Sequence, residues 1–150
     1  MATAFQWSTN ELARVYATAY QGRVARLCLA IATSGLSVDS TTAAWDAAEI
    51  TSQAANGYAR AQWTLPAGSY NTALARFQTA VNPATFQATA AGLGINYDSV
   101  YLVLGTTSGG SITWDTNIAG LFTENPSIGL APGEPRTYKV FFVADDITAL

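Results

Sequence analysis

From Gly57 to the C-terminal region, turn signals interrupt the chain at short intervals. Pro66-Ala67-Gly68, Asn82-Pro83, Ser108-Gly109-Gly110, Asn125-Pro126 and Ala131-Pro132-Gly133 each combine residues that break or redirect regular backbone. Between them lie short alternating runs: YARAQWTL, ALARFQTA, ATFQATA, INYDSVYLVLG, SITW, NIAGLFT and the longer RTYKVFFVA. A period of two sends successive side chains to opposite faces of a strand. Pro132-Gly133 suits the central positions of a type II turn that hands the chain into the last strand. Many short strands with frequent turns predict a mainly β fold, an antiparallel β-sandwich of jelly-roll-like form. Leu27, Leu29, Ile31, Trp63, Phe86, Val100, Leu102, Val140 and Phe142 are the expected core.

The N-terminal part reads differently. Ser8-Thr9-Asn10-Glu11 fits a capping box, with Ser8 as N-cap and Glu11 three residues on. Leu12, Val15, Tyr16, Ala19 and Tyr20 keep helical spacing and Gly22 supplies a stop, which predicts an α-helix from about Thr9 to Gln21. Next, RVARLCLAIA alternates Leu27, Leu29 and Ile31 against Arg26, Cys28 and Ala30, a strand in which Cys28 packs as a small hydrophobe. Thr42 to Ile50 has one or two turns of helical character. No repeat, linker or charge block divides the sequence. The expectation is a single β-rich domain over 1–150, with 1–22 as an N-terminal arm and helix.

Composition excludes several functions. Only 11% of the 150 residues are charged, the net charge is -3, and the basic residues are Lys139 and six scattered arginines. A nucleic-acid partner would call for a basic face, so none is expected. No apolar run is long enough to span a membrane, and MATAFQWSTNELA has no basic segment followed by an apolar one. Histidine is absent, which removes the usual general base and the His-activated nucleophiles. Asp145 and Asp146 are adjacent and would face opposite ways in a strand. Asp46 and Glu49 could share a helical face, but no third acidic residue is near enough for a calcium site, so they read as a solvated face. TTSGGS lacks the lysine and helix of a phosphate loop. No catalytic residue, cofactor or metal is expected. Trp7, Trp45, Trp63 and Trp114, with seven tyrosines, leave open a glycan-binding surface.

What remains is SQAANGYARAQWTL, residues 52 to 65. Gly57 can take a positive φ that ends the preceding turn. Tyr58 and Arg60 then project from one face, where the guanidinium can stack on the phenol or reach a carboxylate such as Glu49. Such a corner fixes how the chain enters the next strand. The segment WDAAEI, a short turn and then GYAR resembles a pattern in small virion structural proteins of tailed bacteriophages. The corresponding residues are Glu49-Ile50, then Gly57-Tyr58-Ala59-Arg60. FQATAAGLGINYDSVYLVLG and SIGLAPGEPRTYKVFF are similar to that family in outline, whereas the N-terminal helix lies outside the pattern and the turn before Gly57 is longer. The resemblance implies a place in the virion, assembled in the host cytoplasm, most simply as a capsid decoration (cement) subunit on the major capsid protein. A tail, neck or fibre-adaptor component is the alternative within the family, and a host-glycan-binding module the alternative outside it. The low charge independently favours a homo-oligomer, since neutral surface is cheaper to desolvate than charge. Phe5 and Trp7, in the N-terminal arm, are the candidate interface residues.

Overall fold

The computed structural model describes residues 8–74, 76–80, 82–140 and 142–145. Phe5 and Trp7 lie outside the described residues. The fold is mainly β with antiparallel pairing and an N-terminal helix. The chain forms two compact units, one from Val24–Trp63 and Pro83–Tyr138, the other from Met1–Arg23, Thr64–Asn82 and Lys139–Leu150.

The larger unit is built on strand β6 (Ile95–Ser108). One edge of β6 pairs antiparallel with β1 (Val24–Ala30), in register from Val24 opposite Gly105 to Ala30 opposite Ser99. β2 (Ala61–Thr64) adds to the far side of β1. The other edge of β6 is shared end to end by β7 (Ser111–Trp114) and β8 (Gly120–Leu130). β6 and β7 meet through Gly109-Gly110, whose φ values of 56° and 81° are both positive, as a two-residue hairpin of the primed type requires. A separate pair joins β5 (Asn82–Gln87) to β9 (Pro135–Val140), with the Thr85 and Thr137 hydroxyls 2.8 Å apart. The short helix α2 (Thr42–Ala48), capped by the Thr41 hydroxyl, brings Trp45 onto Cys28, Ala30, Tyr101, Val103 and Ile118. Trp45 stacks on Tyr101 with ring centroids 5.4 Å apart, and its indole N–H donates to the Ser37 carbonyl.

The smaller unit packs helix α1 (Thr9–Ala19) with a three-stranded sheet ordered β10 (Val143–Asp145), β4 (Arg76–Gln78), β3 (Ser69–Asn71). Ser8 caps α1 by accepting from the Glu11 N–H, while the Glu11 carboxylate takes Arg14 one turn on. Leu12 and Tyr16 are buried, and Tyr16 packs on Phe77 and donates its hydroxyl to the Pro66 carbonyl. The helix ends at Ala19 rather than Gln21, and Gly22 turns at φ 79° to donate to the Leu65 carbonyl.

Four expectations need correction. Asn125-Pro126 is not a turn but sits inside β8, where two steps along β6 (Tyr97 to Ser99) oppose five along β8 (Thr123 to Ile128). The same residues that reverse a chain can instead make a bulge that interrupts pairing without reversing direction. RTYKVFFVA is not one strand but divides into β9 and β10, which pair with different partners. The expected core takes only Leu27, Leu29 and Ile31 from the first strand, whereas every residue of β1 from Val24 to Ala30, Cys28 included, is buried. Of the expected core, Leu27, Leu29, Phe86, Val100 and Phe142 are buried. Trp63, Leu102 and Val140 are half-buried, and Ile31, one residue past the end of β1, is exposed.

Candidate functional site

Helix α2 ends by turning two carboxylates inward. Its C-cap Glu49 leaves the helix in extended conformation (φ −63°, ψ 141°) and bridges to Ala30 at the end of β1. The Ile50 N–H donates to the Leu29 carbonyl and the Ile31 N–H to the Ala48 carbonyl, which lock this exit against β1. A 3-10 turn over Thr51–Asn56 follows and ends at Gly57, with φ 101°. Only glycine fits there. A Cβ would sit 2.7 Å from the Gln87 carbonyl oxygen and 2.8 Å from the Thr89 nitrogen.

The chain leaving Gly57 carries Tyr58 and Arg60 back to Glu49. The Tyr58 hydroxyl donates to Glu49 Oε1 at 2.5 Å and accepts from the Leu29 N–H at 3.2 Å. Arg60 closes a two-point fork, Nε to Oε1 at 2.7 Å and Nη2 to Oε2 at 2.5 Å. The Glu49 side chain has no exposure, whereas that of Arg60 is 41% exposed. Such forks fix both partners in plane and are among the stronger polar contacts. Tyr58 also stacks on Phe86, with centroids 6.2 Å apart. Tyr58 and Arg60 thus converge on the carboxylate although they precede β2 and are not part of it.

A second tie of the same composition lies beside the first. Arg26 Nη2 donates to both oxygens of Asp46, at 2.8 and 2.7 Å, and the Tyr101 hydroxyl donates to Oδ1 at 2.8 Å. The guanidinium lies 4.5 Å from the centre of the Trp114 ring. Asp46 and Glu49 are therefore not a solvated helix face. Each is claimed by one arginine and one tyrosine, and Glu49 is buried. The signal was present in the sequence: Arg26 stands in an otherwise apolar strand and needed an acidic partner when buried.

Cys28, on β1 two residues from Arg26, feels both ties. Burial first, then the Glu49 carboxylate, push its thiol up to about 12. Burial also holds the Tyr58 and Tyr101 phenols well above their ordinary value, reinforced by the neighbouring thiol and by the carboxylates they serve. Arg60 is raised chiefly by its hydrogen bond to Glu49. Thiol and phenols so held are poor nucleophiles and poor acids at neutral pH. The arrangement fixes geometry. Among the described residues, no group of three or more Cys, Asp or Glu side chains is placed to hold a metal ion.

Glu49, Gly57, Tyr58 and Arg60 are thus brought together, whereas Asp46 was expected on a solvated face and its partners Arg26 and Tyr101 were not anticipated. Among the described residues no helix is long and apolar enough to cross a membrane. Comparison with protein-family models, curated proteins and solved structures finds no match.

Proposed function

We propose that this chain is a structural subunit of a tailed-bacteriophage virion, acting through contacts alone as a capsid decoration subunit. The observation that carries the reading is the Glu49–Tyr58–Arg60 corner. The residues that carry the family resemblance are spent on holding one turn against β1. That is the use a contact protein has for them, because its working parts are then its faces. With 11% charged residues against about 25% in an ordinary domain, those faces are neutral and inexpensive to desolvate. A subunit of this kind stabilises a shell by bridging joints between major capsid subunits. A joint of ordinary size buries on the order of 1,600 Å² and is repeated by symmetry, so avidity multiplies each contact. The reading includes a sandwich packing of the sheets and self-association.

Locating the chain in a reconstruction of the virion tests it. Density on the shell at capsomer joints is the expected result. Density at the neck or tail moves the chain to the adaptor role, and absence from purified particles overturns both.

A further inference from the structure

The larger unit carries a cleft of about 470 Å³, with mixed polar and apolar lining, that neither arginine–carboxylate tie uses. That volume lies within the range of about 300–1,000 Å³ usual for small-molecule sites. Its walls are the two irregular places in this part of the fold. One is the three-residue excess in β8, which pushes Glu124, Asn125 and Ser127 out of the regular strand. The other is the loop after β1, which opens at Ala32 with a φ of 59°, the one positive value at a non-glycine among the described residues. Bulges and strained backbone recur at binding sites because they re-aim side chains that regular structure would point elsewhere.

The chemistry of the lining selects a ligand class. Among the described residues no Lys or Arg lines the cleft, and both of its carboxylates already have protein partners. Asp98 accepts from the Ala32 and Thr33 N–H groups at 2.8 and 3.4 Å, and from the Thr33 and Ser99 hydroxyls at 2.7 and 3.0 Å. The two hydroxyls also lie 2.7 Å from each other, and this set of donors engages both oxygens of the carboxylate. Glu124 is answered by Arg136 at 3.0 Å and by the Tyr138 hydroxyl at 2.7 Å. The cleft therefore offers no basic group to an anion, and its two carboxylates are engaged by protein donors rather than left bare for a cation. It presents the exposed residues Ser34, Thr123, Asn125 and Ser127, whose hydroxyl and amide groups both donate and accept, together with the apolar side chain of half-buried Leu36. A sugar ring has matching edges: hydroxyls that both donate and accept, and an apolar C–H face.

We propose that this cleft binds a neutral saccharide. The recognition rests on the cleft's amide and hydroxyl rim rather than on tryptophan platforms. Trp45 is 1% exposed, with its N–H committed to Ser37, and Trp63 and Trp114 are half-buried. The site would give the molecule an attachment function that stands or falls separately from its place in a virion.

Saturation-transfer NMR on the full chain, with glucose, galactose, mannose, rhamnose, N-acetylglucosamine and lactose as probes, tests this. At least one probe should receive magnetisation, with amide shifts confined to residues 33–36 and 123–127. Asn125→Ala and Ser127→Ala, both at exposed positions, should each weaken that probe by about tenfold, equivalent to one lost hydrogen bond. Their unchanged circular dichroism would show that the fold is kept. The proposal is overturned if no probe binds, if the shifts map elsewhere, if both variants bind as tightly as the parent, or if spermidine or sulfate displaces the sugar.

Discussion

Glu49 is the residue on which the corner turns, because it is a carboxylate whose side chain has no solvent exposure. Removing one partner of a buried ion pair costs several kcal/mol, since the other charge stays behind unpaired. Arg60 reaches Glu49 from a partly solvated position, so water can replace part of what it gives. Arg60→Met should therefore cost about 2 kcal/mol, below the range for a fully buried pair. Tyr58→Phe removes a hydrogen bond to a charged group and strands the Leu29 N–H, at about 1.5–3 kcal/mol. Urea denaturation reads both, and midpoints unchanged in the two variants would show the corner to be ornamental. Cys28 gives the pH dependence. Its thiol keeps its proton in the folded state to about 12, from an ordinary value of 9.0. A raised acid stabilises the fold fully below the unfolded value and loses that contribution as pH rises toward the folded one. Stability should accordingly fall above pH 9 by up to about 1.4 kcal/mol per pH unit, with the raised phenols of Tyr58 and Tyr101 adding to it at still higher pH. The decline should be shallower in Cys28→Ala; an identical slope in that variant would remove the thiol from the account.

At the scale of elements, the sequence was most readable where one local rule acted alone. Ser8 before an amphipathic run marked the start of α1, and Gly109-Gly110 between alternating runs marked the β6–β7 hairpin. The Tyr58–Arg60 pairing with Glu49 was readable too, because a glycine, a phenol and a guanidinium at that spacing have few uses. It failed where partners distant in sequence decide. Nothing near Asn125-Pro126 tells a turn from a bulge; the pairing of β8 with β6 does. Nothing within RTYKVFFVA shows that its two halves join different sheets. Asp46 read as solvated because Arg26 and Tyr101 reach it from strands 20 and 55 residues away. Gly57 is the joint between the 3-10 turn and the approach to β2, and its demand is local. Gly57→Ala must bear a left-handed backbone and push aside the Gln87–Thr89 main chain, so a loss of at least about 2 kcal/mol is expected. A thermal melt unchanged by that substitution would mean that the turn can be rebuilt without its glycine.

For the molecule as a whole, the informative quantity is the scarcity of charge. Ten acidic and seven basic residues serve 150 positions, and two of the acidic ones and two arginines are used up in the paired ties beside β1. Little charge is left to keep copies apart. At the same time the larger unit exposes Leu93 at 90%, Phe122 at 54% and Val38 at 53%, and the smaller unit exposes Leu74 at 52%. Single exposed apolar residues are ordinary, but on a surface this neutral they are not ringed by the charged groups that discourage association. Soluble monomers rarely leave contiguous apolar area beyond a few hundred Å² uncovered. Closed symmetric association hides such area without leading to open fibres, and a dimer or trimer needs the fewest distinct contacts. The purified chain should therefore run as a dimer or trimer by light scattering and dissociate on dilution. Phe122→Asp should shift it toward monomer, because it places a charge on exposed β8 surface where the ring meets Tyr138 edge-on. On the proposed virion role, deleting residues 1–7, which carry Phe5 and Trp7, should weaken incorporation into particles and leave the circular dichroism unchanged. A chain that stays monomeric at high concentration, with the shortened form still filling particles to full occupancy, would mean that the missing charge serves something other than self-association.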